Sequence, residues 1–158
     1  MTKTTKLLRE RRTVAAVLLK ARKHEVNDGM NDLLNDVSSK VEDLRASDPA
    51  QIHQSLQSAS KLLGAVTRLR NSLLITSARL SVLWDRGRAN LMAATDIKKL
   101  PTVPARDAAV LDVLMPIEAK TRLCDALIEA ASEVSWQIKN KVSVLETAWD
   151  MKKRDMTL

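Results

Sequence analysis

The sequence predicts an all-α protein: three long antiparallel helices in up-down-up order, a bundle with coiled-coil-like seams. Three observations carry that expectation. The 158 residues contain no Phe or Tyr, only three Gly and four Pro, and are 28% charged, so the chain is rich in helix formers and poor in the turn and aromatic residues of a β protein. Apolar residues recur with a seven-residue beat over two long stretches, which places them on one side of a helix. Three of the four prolines mark two interruptions, at Asp48-Pro49 and Pro101–Pro104, and the fourth, Pro116, falls inside an apolar repeat.

The expected helices cover approximately 5–45, 49–98 and 105–153, with 1–158 read as one elongated helical domain. In the first, a stripe of Leu19, Val26, Met30, Leu33, Val37, Val41 and Leu44 runs with Leu34 beside it. Before Leu19 the pattern is broader. The N-terminal third therefore either packs against two neighbours or forms an arm that orders on a partner. Asn27-Asp28-Gly29 is a weak spot, since Gly costs ~1 kcal/mol against Ala in a helix. The stripe keeps phase through it, so a tolerated bend is expected there. Asp48, Pro49 and Gln51 carry the features of a capped helix start: a capping side chain, Pro at the first helical position and a capping-box partner.

The second helix is the organising element. Ile52, Ala59, Val66, Leu73, Leu80 and Gly87 form one line, and Leu56, Leu63, Arg70, Ser77, Trp84 and Leu91 form the next. At ~1.5 Å per residue the element is roughly 70 Å long. Its other side carries Lys61, Arg68, Arg79 and Arg86, spaced seven, eleven and seven residues apart. That basic ridge spans roughly 38 Å, and Asp85 is the only acid between Asp48 and Asp96. The third helix repeats the design. Val110, Ile117, Cys124, Ala131, Ile138 and Leu145 form one line; Leu114, Thr121, Ile128, Ser135, Val142 and Trp149 form the other. Pro116 lies within it, so a kink or break is expected. Glu118, Asp125, Glu129 and Glu133 form an acidic flank that could pair with a basic one within one molecule or between copies.

No residue qualifies as catalytic, cofactor-binding or metal-ligating, and no enzyme, cofactor or small-molecule substrate is expected. Phosphate-loop and dinucleotide motifs need clustered glycines, which Gly29, Gly64 and Gly87 do not supply. His24 and His53 are far apart in the predicted hairpin, and neither a zinc-protease motif nor a His/Cys cluster is present. Cys124, the only cysteine, falls in an apolar line and is expected to be buried and inert. Trp84 and Trp149 are expected in the core, with Trp136 at an edge or an intersubunit contact.

The net charge is +7 and uneven. A basic N-terminal patch comprises Lys3, Lys6, Arg9, Arg11, Arg12, Lys20, Arg22 and Lys23, and the second helix is basic as well. Such asymmetry favours nucleic acid, anionic membrane or an acidic protein partner. The primary expectation is a non-enzymatic helical interaction or structural protein, self-assembling or binding a helical partner through long apolar faces. The alternative is a nucleic-acid-associated protein that contacts phosphates non-specifically through the ridge and the N-terminal patch. A minor alternative is membrane-surface association through the basic N-terminus. With no signal-like or membrane-spanning segment in view, the expectation is a soluble, cytoplasmic protein.

Overall fold

The computed structural model of the chain describes residues 14–23, 26 and 29–155. It is all-α, but the expectation of three long helices is corrected. The described residues hold five helices: α1 over 14–22, α2 (Gly29–Glu42), α3 (Pro49–Ala93), α4 (Thr95–Lys98) and α5 (Val103–Asp155).

Each difference has a local cause. The expected first helix is two helices, because Gly29 opens α2 instead of lying inside a longer element. Asn, Asp and Gly are all poor in helix interiors, and their sum outweighs the continuity of the stripe. The expected stripe holds in part, and its Val26 is buried. Leu34, Val37, Val41 and Leu44 are buried at three-four-three spacing, whereas Leu33 and Leu19 are 47% and 58% exposed. In the N-terminal segment the buried residues are Val14, Val17 and Ala21.

The expected second helix stops at Ala93. Ala94 is extended (φ −67°, ψ 140°) and precedes the short α4. Thr95 and Asp96 favour a first helical turn over a helix interior, and the break lets Ile97 pack against the same core as Leu91 and Met92. The third helix is not broken: α5 runs without interruption through Pro116. The hydrogen bond that proline removes would have reached Asp112, and both residues are exposed, so the freed carbonyl lies on the solvent side.

The helix starts follow their capping chemistry. The Gln51 N–H donates to Asp48 Oδ1 at 2.9 Å, and Pro49 opens α3. At α5, the Ala105 N–H donates to Thr102 Oγ1 at 3.3 Å, and Arg106 Nε donates to the Leu100 carbonyl at 3.0 Å, holding the connection.

The chain forms two compact units, to which α3 and α5 each contribute one portion. The first comprises Leu74–Asp125 with the described residues up to Val26. Its core gathers Val17, Ala21, Leu80, Leu83, Val110, Leu114 and Ile117 from three helices. Ser77 Oγ donates to Asp125 Oδ1 at 2.9 Å and Arg88 pairs with Asp107 at 3.3 Å. Position 77 thus faces 125 while 88 faces 107, so the two helices run antiparallel in this unit. Gly87 is buried where α3 packs against Leu114 of α5. A Cβ there would lie 2.8 Å from Leu114 Cδ2 and 3.5 Å from Val17 Cγ1. Lys120 Nζ closes the end of α1 by donating to the carbonyls of Ala21 and Arg22 at 3.0 and 3.3 Å, the placement favoured for a cation at a helix C-terminus.

The second unit comprises the described residues from 29 to Leu73 and those from Ala126 onward. Leu34, Ile52, Ala59, Val66, Leu73, Ala131, Ile138 and Leu145 are all at most 1% exposed. Polar groups tie its helices together. Arg70 Nε donates to Ser132 Oγ at 2.9 Å, and Ser38 Oγ donates to Gln137 Oε1 at 3.0 Å. Ser55, buried at 8%, donates to the Arg45 carbonyl at 2.9 Å and accepts from the Arg45 N–H at 3.1 Å. One hydroxyl thereby satisfies both backbone groups of a residue in the α2–α3 connection.

Candidate interaction surface

In the first unit, the portion of α3 that fills the core with Leu80 and Leu83 carries a second apolar row on another side. Ile75 and Val82 are seven residues apart, 54% and 50% exposed, with Ala78 between them. Together with Leu83 they floor a shallow groove of about 600 Å³ between α3 and α1, and Lys20, Lys23 and Arg79 complete its lining. Ile75, Arg79 and Val82 stand at i, i+4 and i+7, so helical geometry alone lines them up. Among the described residues no acidic side chain lines the groove. Asp85, the only acid within α3, is exposed beyond Val82. Among the described residues, Lys20, Lys23 and Arg79 take part in no ion pair.

The predicted ridge residues are all exposed: Lys61 and Arg68 in the second unit, Arg79 and Arg86 in the first. Of the four, Arg79 alone lines the groove. The Arg68 guanidinium lies over Gly64, within 3.6 Å of where a Cβ would stand. From the N-terminal basic patch, Lys20 and Lys23 reach the groove, and Arg22 is exposed. Lys3, Lys6, Arg9, Arg11 and Arg12 lie outside the described residues, as does His24.

In the second unit, α5 presents Trp136 at 59% exposure. Glu129, Ala130, Ser132 and Glu133 line a shallow depression with it. Glu129, Glu133 and Trp136 also follow i, i+4, i+7 spacing, giving an aromatic knob with two carboxylates on its N-terminal side. Glu133 also accepts from Gln137 Nε2 at 3.4 Å. Of the other acidic-flank residues, Asp125 accepts from Ser77 and Glu118 pairs with Arg122 at 3.1 Å.

Trp84 is half-buried against the first unit's core, with the Arg88 guanidinium 5.6 Å from its ring centroid. That arrangement removes it as an open stacking platform. Its Nε1 is buried with no acceptor among the described residues, an expensive condition of roughly 1–3 kcal/mol. Cys124 is fully buried. Burial pushes its thiol pKa above the ordinary range and the neighbouring Asp125 carboxylate adds to the rise, so it is held as the unreactive thiol.

Among the described residues no group of three or more His, Cys, Asp or Glu is placed to hold a metal ion. No described helix is long and apolar enough to cross a membrane. The groove floor escaped the sequence reading because the heptad lines had already accounted for α3. The remaining apolar residues, Ile75 and Val82, repeat at seven and were the signal available. No family model, curated protein or solved structure matches the chain.

Proposed function

We propose that this protein is a non-enzymatic helical interaction module that binds a partner protein in the cation-rimmed apolar groove of its first unit. The observation that carries this reading is the groove itself. Ile75 and Val82 are large apolar side chains left half-exposed beside a filled core, and they form a continuous floor with Ala78 and Leu83. Helix-in-groove recognition uses such a floor for affinity and the charged rim for orientation. A photo-crosslinking side chain at Ala78 tests it, with the same group at exposed Ser60 as control. Protein adducts specific to position 78 and lost in Val82→Glu are expected. Absence of a position-specific protein adduct would overturn the reading.

A second reading is phosphate-backbone binding to nucleic acid. It is favoured by the exposure of Lys61, Arg68, Arg79 and Arg86 and by the lack of an ion pair at any of them among the described residues. Such binding would weaken steeply with salt. A band shift at low salt that is reduced by reversing Arg79 and Arg86 would support it. No shift at low salt would remove it.

A further inference from the structure

The groove of the first unit and the knob of the second are complementary in shape class, charge and spacing. Among the described residues, the groove offers an apolar floor with three cations and no acid in its lining. The knob offers an exposed indole with two carboxylates, four and three residues apart along one helix face. Both sides use i, i+4, i+7 spacing: Ile75, Arg79 and Val82 against Glu129, Glu133 and Trp136. The wider charge distribution agrees. Counted over the described residues, the first unit has eleven basic and six acidic side chains, a net of +5, whereas the second has ten of each. The cationic excess belongs to the unit with the groove.

We infer that the groove's occupant is a second copy of this chain, whose Trp136 enters over Ile75, Ala78 and Val82 while Glu129 and Glu133 meet Lys20, Lys23 and Arg79. This rests on the groove being a protein-binding surface and names its partner. Tryptophan is favoured as such an anchor because it buries a large apolar area through few rotatable bonds. Carboxylates on the rim set orientation and association rate, and make both salt-dependent. The contact is between different patches, so each copy supplies one groove and one knob.

The test is the mass of the full-length protein by light scattering and sedimentation at low and moderate salt. Wild type should associate, with a mass above the 17.6 kDa of one chain. Trp136→Ala should weaken association by at least tenfold, and Trp136→Gln should do the same while keeping a large side chain. Reversal of the rim (Lys20→Glu, Lys23→Glu and Arg79→Glu) and reversal of the knob (Glu129→Lys and Glu133→Lys) should each abolish it. Mixing the two reversed proteins should restore it, because each then finds a complementary surface on the other. All these positions are exposed, and circular dichroism checks that each variant is helical. A wild type that stays at one-chain mass at high concentration overturns the inference. So does association insensitive to Trp136, or a mixture that fails to recover. A monomeric chain that still gives position-78 adducts with another protein overturns self-pairing alone and leaves the groove reading standing.

Discussion

The two units are built from the same pair of long helices, yet they solve the packing problem differently. In the second, α3 and α5 meet through ordinary side chains, and polar groups do the tying. Ser55 closes the α2–α3 connection on Arg45, and Arg70 reaches Ser132. In the first, Gly87 leaves α3 so near Leu114 that a Cβ could be admitted only if that side chain shifted. Both units have polar ties between α3 and α5, Arg70–Ser132 in the second and Ser77–Asp125 and Arg88–Asp107 in the first. The first adds a glycine packed against a core side chain. The comparison teaches that a heptad repeat specifies which face is buried. It leaves the closeness of approach to single residues.

The largest expected effect tests whether the shared apolar line is equally critical in both units. Leu80→Ala in the first unit and Leu73→Ala in the second each remove a side chain at most 1% exposed. Each should cost about 2–5 kcal/mol in urea unfolding. A loss below about 1 kcal/mol at either position would mean that unit's core is not close-packed.

The glycines sharpen the contrast by sign. Gly87→Ala places a Cβ 2.8 Å from Leu114 Cδ2, and overpacking of this kind costs about 1–3 kcal/mol, against a helix-propensity gain of ~1 kcal/mol. A net destabilisation is expected. Gly64→Ala meets only the tip of the Arg68 side chain at 3.6 Å and should stabilise by about 0.5–1 kcal/mol. Thermal unfolding of the two variants decides it, and equal shifts would erase the distinction.

Serine substitutions come next. Ser55→Ala leaves both backbone groups of Arg45 without their partner and should cost about 1–3 kcal/mol. Ser77→Ala removes a single bond to an exposed Asp125 and should cost about 0.5–1.5 kcal/mol. Comparable losses would show that the α2–α3 connection relies on other contacts.

The smallest effect is the pH dependence contributed by Cys124, in the first unit. Its thiol pKa is raised by burial and then by Asp125. The folded state therefore keeps a proton that the unfolded chain releases near pH 8.5. The thiol's contribution to stability is complete below that pH and declines as pH rises above it. Cys124→Ala should flatten this alkaline decline in urea titrations. Labelling of the native thiol should be slow and should track opening of the first unit. Fast labelling of folded protein at neutral pH would contradict the burial.

Much of the fold was legible in residue spacing. Ile52, Ala59, Val66, Leu73 and Leu80, and on α5 Ile117, Cys124, Ala131, Ile138 and Leu145, are at most 1% exposed. A helix with an apolar face has only one low-energy way to leave water, and periodicity reports that face directly. The second lines are mostly half-buried. They contain Arg70, Ser77, Thr121 and Ser135, whose polar atoms find partners: Ser132, Asp125 and the carbonyls of Ile117 and Ala131. The Asp48-Pro49 start was legible for a similar reason, because its capping chemistry lies within four residues.

The N-terminal third was legible only in part: Val26, Val37, Val41 and Leu44 of its stripe are buried, but Leu19 and Leu33 are exposed. A stripe through Leu19 and Leu33 assumes one continuous helix, whereas α1 and α2 are separate helices that pack in different units. The candidate surface divides in the same way. Arg79, Lys20 and Lys23 could be named from charge alone, and Trp136 from its place off the heptad line. That three cations share a groove with Ile75 and Val82 depends on α1 lying beside α3, a contact between residues some fifty positions apart. Sequence by itself determined helicity, the buried faces and the capped start of α3, because those depend on neighbours within one or two turns. Tertiary structure decided which residues of α1 and α2 are buried, the packing of Leu114 against Gly87, and which exposed apolar residues became the floor of a groove. Those depend on distant helices competing for the same surface, and that competition leaves no period in the chain.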